Sequence, residues 1–344
     1  MAGNPAVLFA NPTAQSGKAA EWIRVARALL DAAAVPHRFV PTEPAGGTIE
    51  LVQRAIDDDG ARVVIAMGGD GTFSEVAKGV LASSHRPQVA MGLLPTGTAN
   101  DQAKSFGMSA GLDSLETNVK VLAAGAAVAL DVGRLEIWDR DDRRLYRDLF
   151  FDSFSIGLGA ATLATRNRDR ELVGKIPGLG LLYRDQLVYA GALVQRFLES
   201  YVVDIKFDLD AVIDGRVLHY ESLLDIIVKN TRIFGGEWVL HADCASDDGL
   251  FELVPITGRR DFTTKALTTF RHSPISEDDL RNLGFERAGA VPGARFELVV
   301  RTTDGTPAAQ ADGEELPAGY RYLIEALPRC LRLVVPREEV SGDV

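Results

Sequence analysis

Three short polar stretches stand where a phosphorylated ligand could be held. Gly68-Gly-Asp-Gly-Thr-Phe-Ser-Glu75 follows the apolar run Arg62-Val-Val-Ile-Ala66, which has the β-branched content of a buried parallel strand. Pro95-Thr-Gly-Thr-Ala-Asn-Asp101 follows a second such run, Val89 to Leu94, and Asn11-Pro-Thr-Ala-Gln-Ser-Gly-Lys18 follows Ala6 to Ala10. Loops after parallel strands sit at their carboxyl ends, where α/β sheets bind ligands. Glycine N–H groups, the hydroxyls of Thr13, Ser16, Thr72 and Thr98, and a helix starting after Thr72 suit an oligophosphate: a helix N-terminus favours anions, and glycine lets the backbone come close. Asp70 would repel bare phosphate. Its charge makes sense if Mg²⁺ lies between carboxylate and phosphates, or if it orients a reacting hydroxyl. The plainer alternative is a tight turn with Asp70 as a helix N-cap, and Thr98, Asn100 and Asp101 capping the next helix. Two such loops after consecutive strands are harder to explain as capping alone.

Other chemistries are absent from the pattern. The Asn11 loop ends in Gly-Lys but lacks the first P-loop glycine and has Ala19 where a magnesium-binding Ser or Thr should stand. Asp208 to Gly215 has the wrong carboxylate spacing for a calcium-binding EF-hand, and there is no GxGxxG, HExxH or nucleophile elbow.

The elements that must position these loops alternate in the first 130 residues. Strands at Ala6–Ala10, Arg38–Val40, Arg62–Ala66 and Val89–Leu94 are interleaved with helices near residues 19–34, 49–56, after Thr72 and 114–124. That order predicts a doubly wound parallel sheet with right-handed crossovers. After Asp131 the segments shorten and often alternate, as antiparallel strands do: residues 153–157, 202–207, 223–229, 250–255 and 296–301. A helical insertion from about residue 181 to 199 interrupts them, and 332–335 reads as a further strand. The expectation is therefore α/β. An N-terminal nucleotide domain, residues 1–130, is joined by the strand in 331–344, and residues 131–330 form a larger, mainly antiparallel β domain.

Bulk properties bound the function. With 37 Lys+Arg against 48 Asp+Glu, the net charge of −11 argues against a nucleic-acid partner or a broad basic membrane face. Two cysteines, Cys244 and Cys330, are too few for a disulfide framework and point to a reducing cytoplasm. The apolar stretch Val121–Leu130 falls short of the roughly 20 residues that a membrane span needs, and the start reads as a first strand rather than a signal peptide.

Taken in order, Asn11-Pro12, Gly68 to Glu75, Pro95 to Asp101, Asp131 in Leu130-Asp-Val-Gly133, Asn230 to Gly236, Asp247-Asp-Gly-Leu250 and Asp312-Gly-Glu314 resemble the catalytic domain of the diacylglycerol kinase family, especially the soluble bacterial lipid kinases. GGDGT alone is shared with NAD kinases and, loosely, phosphofructokinases; the ordered set is specific, and it spans nearly the whole chain. The resemblance implies an ATP- and Mg²⁺-dependent kinase acting on a lipid hydroxyl. Nucleotide-binding roles fall on Asn11, Thr13, Thr42, Gly69, Asp70, Gly71, Thr72, Phe73, Ser74, Glu75 and Thr98. It implies Glu314 as proton acceptor with Asp312 beside it, and Asp70 and Asp131 holding or organising Mg²⁺ with them. Asp248 would bind a structural magnesium with the main-chain carbonyls of Ala245 and Leu250. From the residues alone, Asp312-Gly-Glu314 and Asp247-Asp-Gly249 also read as β-turns. Thr96, Gln102 and Glu237 depart from the family's usual residues, and the Asn11 loop is longer.

The implied partner is a lipid met transiently at the membrane's inner face by a cytoplasmic protein, and a homodimer is a further expectation. No residue selects among diacylglycerol, phosphatidylglycerol, ceramide, sphingosine and monoacylglycerol. Apolar residues 179–194, with Arg166, Arg168, Arg170, Lys175 and Arg184 nearby, read either as an acyl pocket with a basic rim or as a packed helix with a solvated loop. Competing readings are an NAD kinase, a sugar kinase and a non-catalytic lipid- or nucleotide-binding protein; the presence of Asp70, Asp131, Asp312 and Glu314 together weighs against the last.

Overall fold

The computed structural model describes residues 4–14, 17–97, 100–161, 206–234, 238–239, 244–257, 289–302 and 306–337. The predicted helix at 181–199, the basic residues between 166 and 184, most of the strand predicted at 202–207, and Ser16, Thr98 and Glu237 lie outside these.

The first half alternates strand and helix: β1 (Ala6–Ala10), α1 (Lys18–Ala32), β2 (His37–Pro41), α2 (Gly47–Asp57), β3 (Val63–Gly68), α3 (Asp70–Ala82), β4 (Ala90–Pro95), α4 (Asp101–Ser105) and α5 (Leu115–Ala124). Every residue of β1 is buried, and the strand's alternation divides them between two cores. Val7 and Phe9 pack with residues of α2 and α3; Ala6, Leu8 and Ala10 pack with those of α1 and α5. A strand covered on both faces has no use for polar alternation, which is why it reads as a continuous apolar run. The strands are parallel in the order β2-β1-β3-β4. Helix α3 begins at Asp70 rather than after Thr72, because Gly69 is extended and serves as its N-cap.

The second half continues with β5 (Ala127–Trp138), β6 (Arg144–Phe150), β7 (Ser153–Gly157), β8 (Phe207–Ile213), β9 (Arg216–Leu223), β10 (Asp225–Lys229), β11 (Ile233–Phe234), β12 (Trp238–Val239), β13 (Phe251–Ile256), β14 (Val291–Gly293), β15 (Arg295–Arg301), β16 (Ala309–Ala311), β17 (Glu314–Leu316) and β18 (Arg321–Val334). The change of character seen at Asp131 falls inside β5. Strands β14-β13-β10-β7-β16-β17 form an antiparallel sheet, and a core including Phe154, Phe251, Phe296 and Tyr322 joins residues of this sheet to those of β8, β15 and β18. Strand β18 runs antiparallel to β5 and β15, then meets β4 in parallel at Leu333↔Met91, so the parallel strands extend without a break into the antiparallel ones. Between Leu327 and Leu331 its pairing with β5 is interrupted by a bulge.

Candidate active site

Strand register brings the predicted loops together. Ala10 pairs with both Pro41 and Met67, and Met67 pairs with Leu94, so Asn11, Thr42, Gly69 and Thr96 all emerge at one edge. The chain order reverses between β1 and β3, and a crevice at that point is where open α/β sheets take ligands. Asn11 turns back on its own loop, its Oδ1 accepting the Thr13 N–H at 2.9 Å and the Thr13 hydroxyl at 2.8 Å. The Thr42 N–H donates to Ala10 O at 3.0 Å, which ties the end of β2 to the first loop.

The second and third loops are locked to each other. A Cβ on Gly97 would stand 2.4 Å from the Cα of Gly69, and Thr96 N–H donates to Gly68 O at 2.8 Å. Asn100 N–H donates to the Asp70 carboxylate at 2.8 Å, while the Asn100 side chain closes its own turn on the N–H and C=O of Gly97. Gly97 is therefore required by loop-on-loop packing, and Gly69 is packed closely against it. Gly71 is different: a Cβ there would meet nothing within 4 Å, so its side of the helix start is open. Phe73 is 2% exposed and makes an edge-on contact with Phe151, and its N–H donates to Gly69 O within the helix, so it belongs to the core. Ser74 and Glu75 follow it, half-buried, in α3.

The Asp312-Gly313 pair is the tight turn between β16 and β17, both residues having positive φ, as a two-residue hairpin turn requires. It is also more than a turn. The Asp312 carboxylate accepts the N–H groups of Phe151 (2.7 Å), Asp152 (2.7 Å) and Ser153 (3.1 Å). Burial, then the charge of Asp152, push its pKa up to about 7 against the pull of those three donors. Glu314, two residues on, is exposed, and no donor among the described residues meets its carboxylate.

A group absent from the sequence reading lies behind this turn. Lys229 is 1% exposed; its Nζ donates to Asp152 Oδ1 at 3.1 Å and to Ile233 O at 2.6 Å. Asp152 also accepts the hydroxyls of Ser153 and Thr231, and Thr231 is linked to Ser105 of α4 at 3.2 Å. Asp101 opens that same helix; burial, then Asp152 and Asp70, push it up to about 7, and its Oδ1 is buried without a partner among the described residues. Asp70 is lifted above the ordinary carboxylate range by burial and, behind that, by Asp152. Carboxylates from three separate stretches thus converge on one region. The usable signals were a lone lysine ending an apolar strand and an aspartate wedged between Phe151 and Ser153.

Asp131 stands in β5 against the 246–249 loop. Its carboxylate accepts the N–H of Gly249 (2.6 Å) and of Arg329 (2.7 Å), its own N–H donates to Ser246 O, and the acidic residues acting on it are Asp248 and Asp247. Asp248 is exposed and accepts the Leu250 N–H at 2.9 Å; Ala245 and Leu250 are half-buried on the same loop.

Among the described residues no three His, Cys, Asp or Glu side chains are gathered closely enough to hold a metal by themselves. The residues still suit magnesium, which commonly takes one or two carboxylates and completes its shell with phosphate oxygens and water. Mutual repulsion among Asp70, Asp101 and Asp152, together with the orphaned oxygen of Asp101, marks a place where a cation would be favoured. No helix among the described residues is long and apolar enough to cross a membrane.

Comparison with known proteins points the same way. A model of the diacylglycerol kinase catalytic domain matches residues 5–135. A probable YegS-like lipid kinase of Cronobacter sakazakii is 30% identical over 324 residues, 93% of this chain and 94% of its own. Its counterpart in an Enterobacter species is 29% identical over 281 residues, 80% of this chain and 79% of its own. The solved structure of a diacylglycerol kinase from Bacillus anthracis shares the fold, with a TM-score of 0.67 at 16% identity over 98% of each chain.

Proposed function

The chain belongs to the YegS-like lipid kinases built on the diacylglycerol kinase catalytic domain, and we propose that it moves the γ-phosphoryl group of ATP, with Mg²⁺, to the hydroxyl of a lipid such as diacylglycerol. The observation that carries this reading is the joining of the two glycine loops. Gly69 against Gly97 and Asn100 on Asp70 form one floor at the carboxyl edge of the sheet, and the Asp152 backbone ties the Asp312 turn to the carboxylate cluster at that floor.

Each residue then has a task. Asn11, Thr13, Thr42 and Gly71 face or frame the nucleotide from the open side, and the N-terminal end of α3 meets its phosphates. Phosphoryl transfer needs positioning and charge neutralisation more than covalent help from the protein. Mg²⁺, held with the nucleotide beside Asp70 and Asp101, would neutralise charge developing on the phosphate oxygens. Asp312 is occupied by its three N–H donors, which fixes the hairpin and leaves the untied Glu314 to accept the acceptor's proton. Asp248, with Ala245 and Leu250, is assigned a structural magnesium.

The test is radiolabelled ATP against a panel of hydroxyl-bearing lipids in mixed micelles, with NAD and sugars as controls. Label should appear in a lipid only when Mg²⁺ is present. Label in NAD or a sugar with none in any lipid would reject the acceptor class.

A further inference from the structure

A groove of about 650 Å³ lies between the far end of α3 and strands β5, β6 and β18. Its wall follows from the sheet. Residues directly opposite in an antiparallel pair point to the same face, so the pairings Arg134↔Leu149, Glu136↔Arg147 and Val132↔Leu327 put Leu149, Arg147, Arg134 and Leu327 together. Their neighbours Leu135, Phe150 and Ile324 point the other way, into the core. The bulge of β18, where Arg329 has a φ of 50°, adds Pro328 and Cys330 to the wall. Lys78, Leu81 and Ala82 of α3 and Arg86 from the turn after it complete the lining. Lys78 stands eight residues along α3 from Asp70, about 12 Å at the rise of a helix, so the groove is separate from the phosphate loops.

The lining carries four cations, Lys78, Arg86, Arg134 and Arg147, and one carboxylate, Asp148. That excess is local, because the whole chain has 37 Lys+Arg against 48 Asp+Glu. Lys78 is held by Asp148 at 2.6 Å, Arg134 by Glu325 and Arg147 by Glu136 at 3.3 Å, and neither glutamate lines the groove. An arginine that gives one or two of its five donors to a carboxylate keeps the others, already oriented, for a second oxyanion. Arg86 pairs with no carboxylate among the described residues. No aromatic ring lines the groove, so nothing there would stack a nucleobase.

We propose that this groove is a second binding site, for an amphipathic phosphate monoester, with the phosphate taken by the arginines and the apolar stem by Leu81, Leu149, Leu327 and Pro328. A phosphate monoester carries about 1.5 to 2 negative charges at pH 7 and fits the planar fork of arginine. A bare anion would leave the apolar wall in water. The product of a lipid kinase belongs to this chemical class. The inference goes beyond the reading above, since it requires neither ATP nor a particular acceptor.

The test titrates octyl phosphate, below its micelle-forming concentration, by calorimetry into the full-length wild type, Arg86→Gln and Arg86→Gln/Arg147→Gln, with inorganic phosphate as a second probe. Octyl phosphate should bind the wild type, weaken about threefold in the single variant and about tenfold or more in the double, as charge-assisted hydrogen bonds are lost. Inorganic phosphate should bind the wild type at least about tenfold more weakly than octyl phosphate, because only the latter buries apolar area. Equal affinity for octyl phosphate in all three proteins would overturn the proposal by placing the probe elsewhere, such as at the acceptor site. Inorganic phosphate bound as tightly as octyl phosphate, or no binding to the wild type, would do the same. Both substituted side chains are exposed, so the melting temperature should stay at the wild-type value; if the double variant does not fold, Arg86→Gln decides alone, and an unchanged affinity rejects the site. No turnover is measured. Failure here leaves the kinase reading standing, and absence of lipid labelling would leave this binding result standing.

Discussion

Asp312 and Asp131 use the same device in two regions of the molecule. Each is an aspartate whose carboxylate gathers backbone N–H groups from distant parts of the chain: Asp312 takes those of Phe151, Asp152 and Ser153, and Asp131 those of Gly249 and Arg329. The difference lies in what stands beside them. Asp312 fixes a two-residue turn that presents the exposed Glu314 and abuts the Asp152–Lys229 pair, whereas Asp131 holds the 246–249 loop against the bulge of β18. One anchor presents an exposed carboxylate; the other ties a loop to a strand bulge. Anchoring of this kind is therefore no sign of chemistry until the neighbouring free group has been identified.

The sharpest way to break the contrast is Glu314→Gln. It keeps size and polarity but removes the proton-accepting charge, and kcat should fall about 10²- to 10⁴-fold with ATP affinity by calorimetry nearly intact. A near-normal kcat would shift the base to Asp312 and dissolve the distinction between anchor and base.

Asp312→Asn and Asp131→Asn compare the anchors directly. Each turns an amide donor toward N–H donors and forfeits hydrogen bonds to a charged acceptor, worth about 1.5–3 kcal/mol, so both should lower the melting temperature. Only Asp312→Asn should also reduce kcat by about tenfold or more, because the N–H of Asp152 and the turn bearing Glu314 shift with it; Asp131→Asn should stay within about threefold. Equal kcat losses would mean that the Asp131 loop serves the chemistry as well.

The smallest effect isolates burial from repulsion. Asp225 is 1% exposed, its Oδ2 accepting the Gly159 N–H and its Oδ1 having no partner among the described residues, and burial alone pushes it up to about 8. A carboxyl raised from its ordinary value of 3.8 contributes stability that is complete below about pH 4 and lost as pH rises through 8, at no more than about 1.4 kcal/mol per pH unit. As pH rises from about 4 to about 8, the melting temperature of Asp225→Asn should gain progressively on that of the wild type, and the difference should level off above about pH 8. Parallel pH profiles for the two proteins would show that Asp225 does not titrate in that window.

The parallel half was legible because its strands are buried on both faces and its polar groups are contiguous in sequence, as in Gly68 to Glu75. Even there, the close approach of Gly97 to Gly69 is visible only once β3 and β4 are paired. The antiparallel half resisted for a related reason. Lys229 and Asp152 lie 77 residues apart and become partners through β7 and β10, a pairing that no local periodicity encodes. Short strands such as β16 and β17, three residues each, carry too little alternation to announce themselves.

The route of β18 bears on how the chain is made. Strand β4 lies between β3 and β18, and the latter arrives only with residues near Leu333. While a ribosome is still adding the intervening residues, the nascent parallel sheet carries an unpaired edge strand, and such edges recruit other chains. The last contact to form in that sheet is thus among the most distant in sequence, which slows completion of the fold. Biosynthesis, rather than the finished molecule, is where this architecture is most exposed to aggregation.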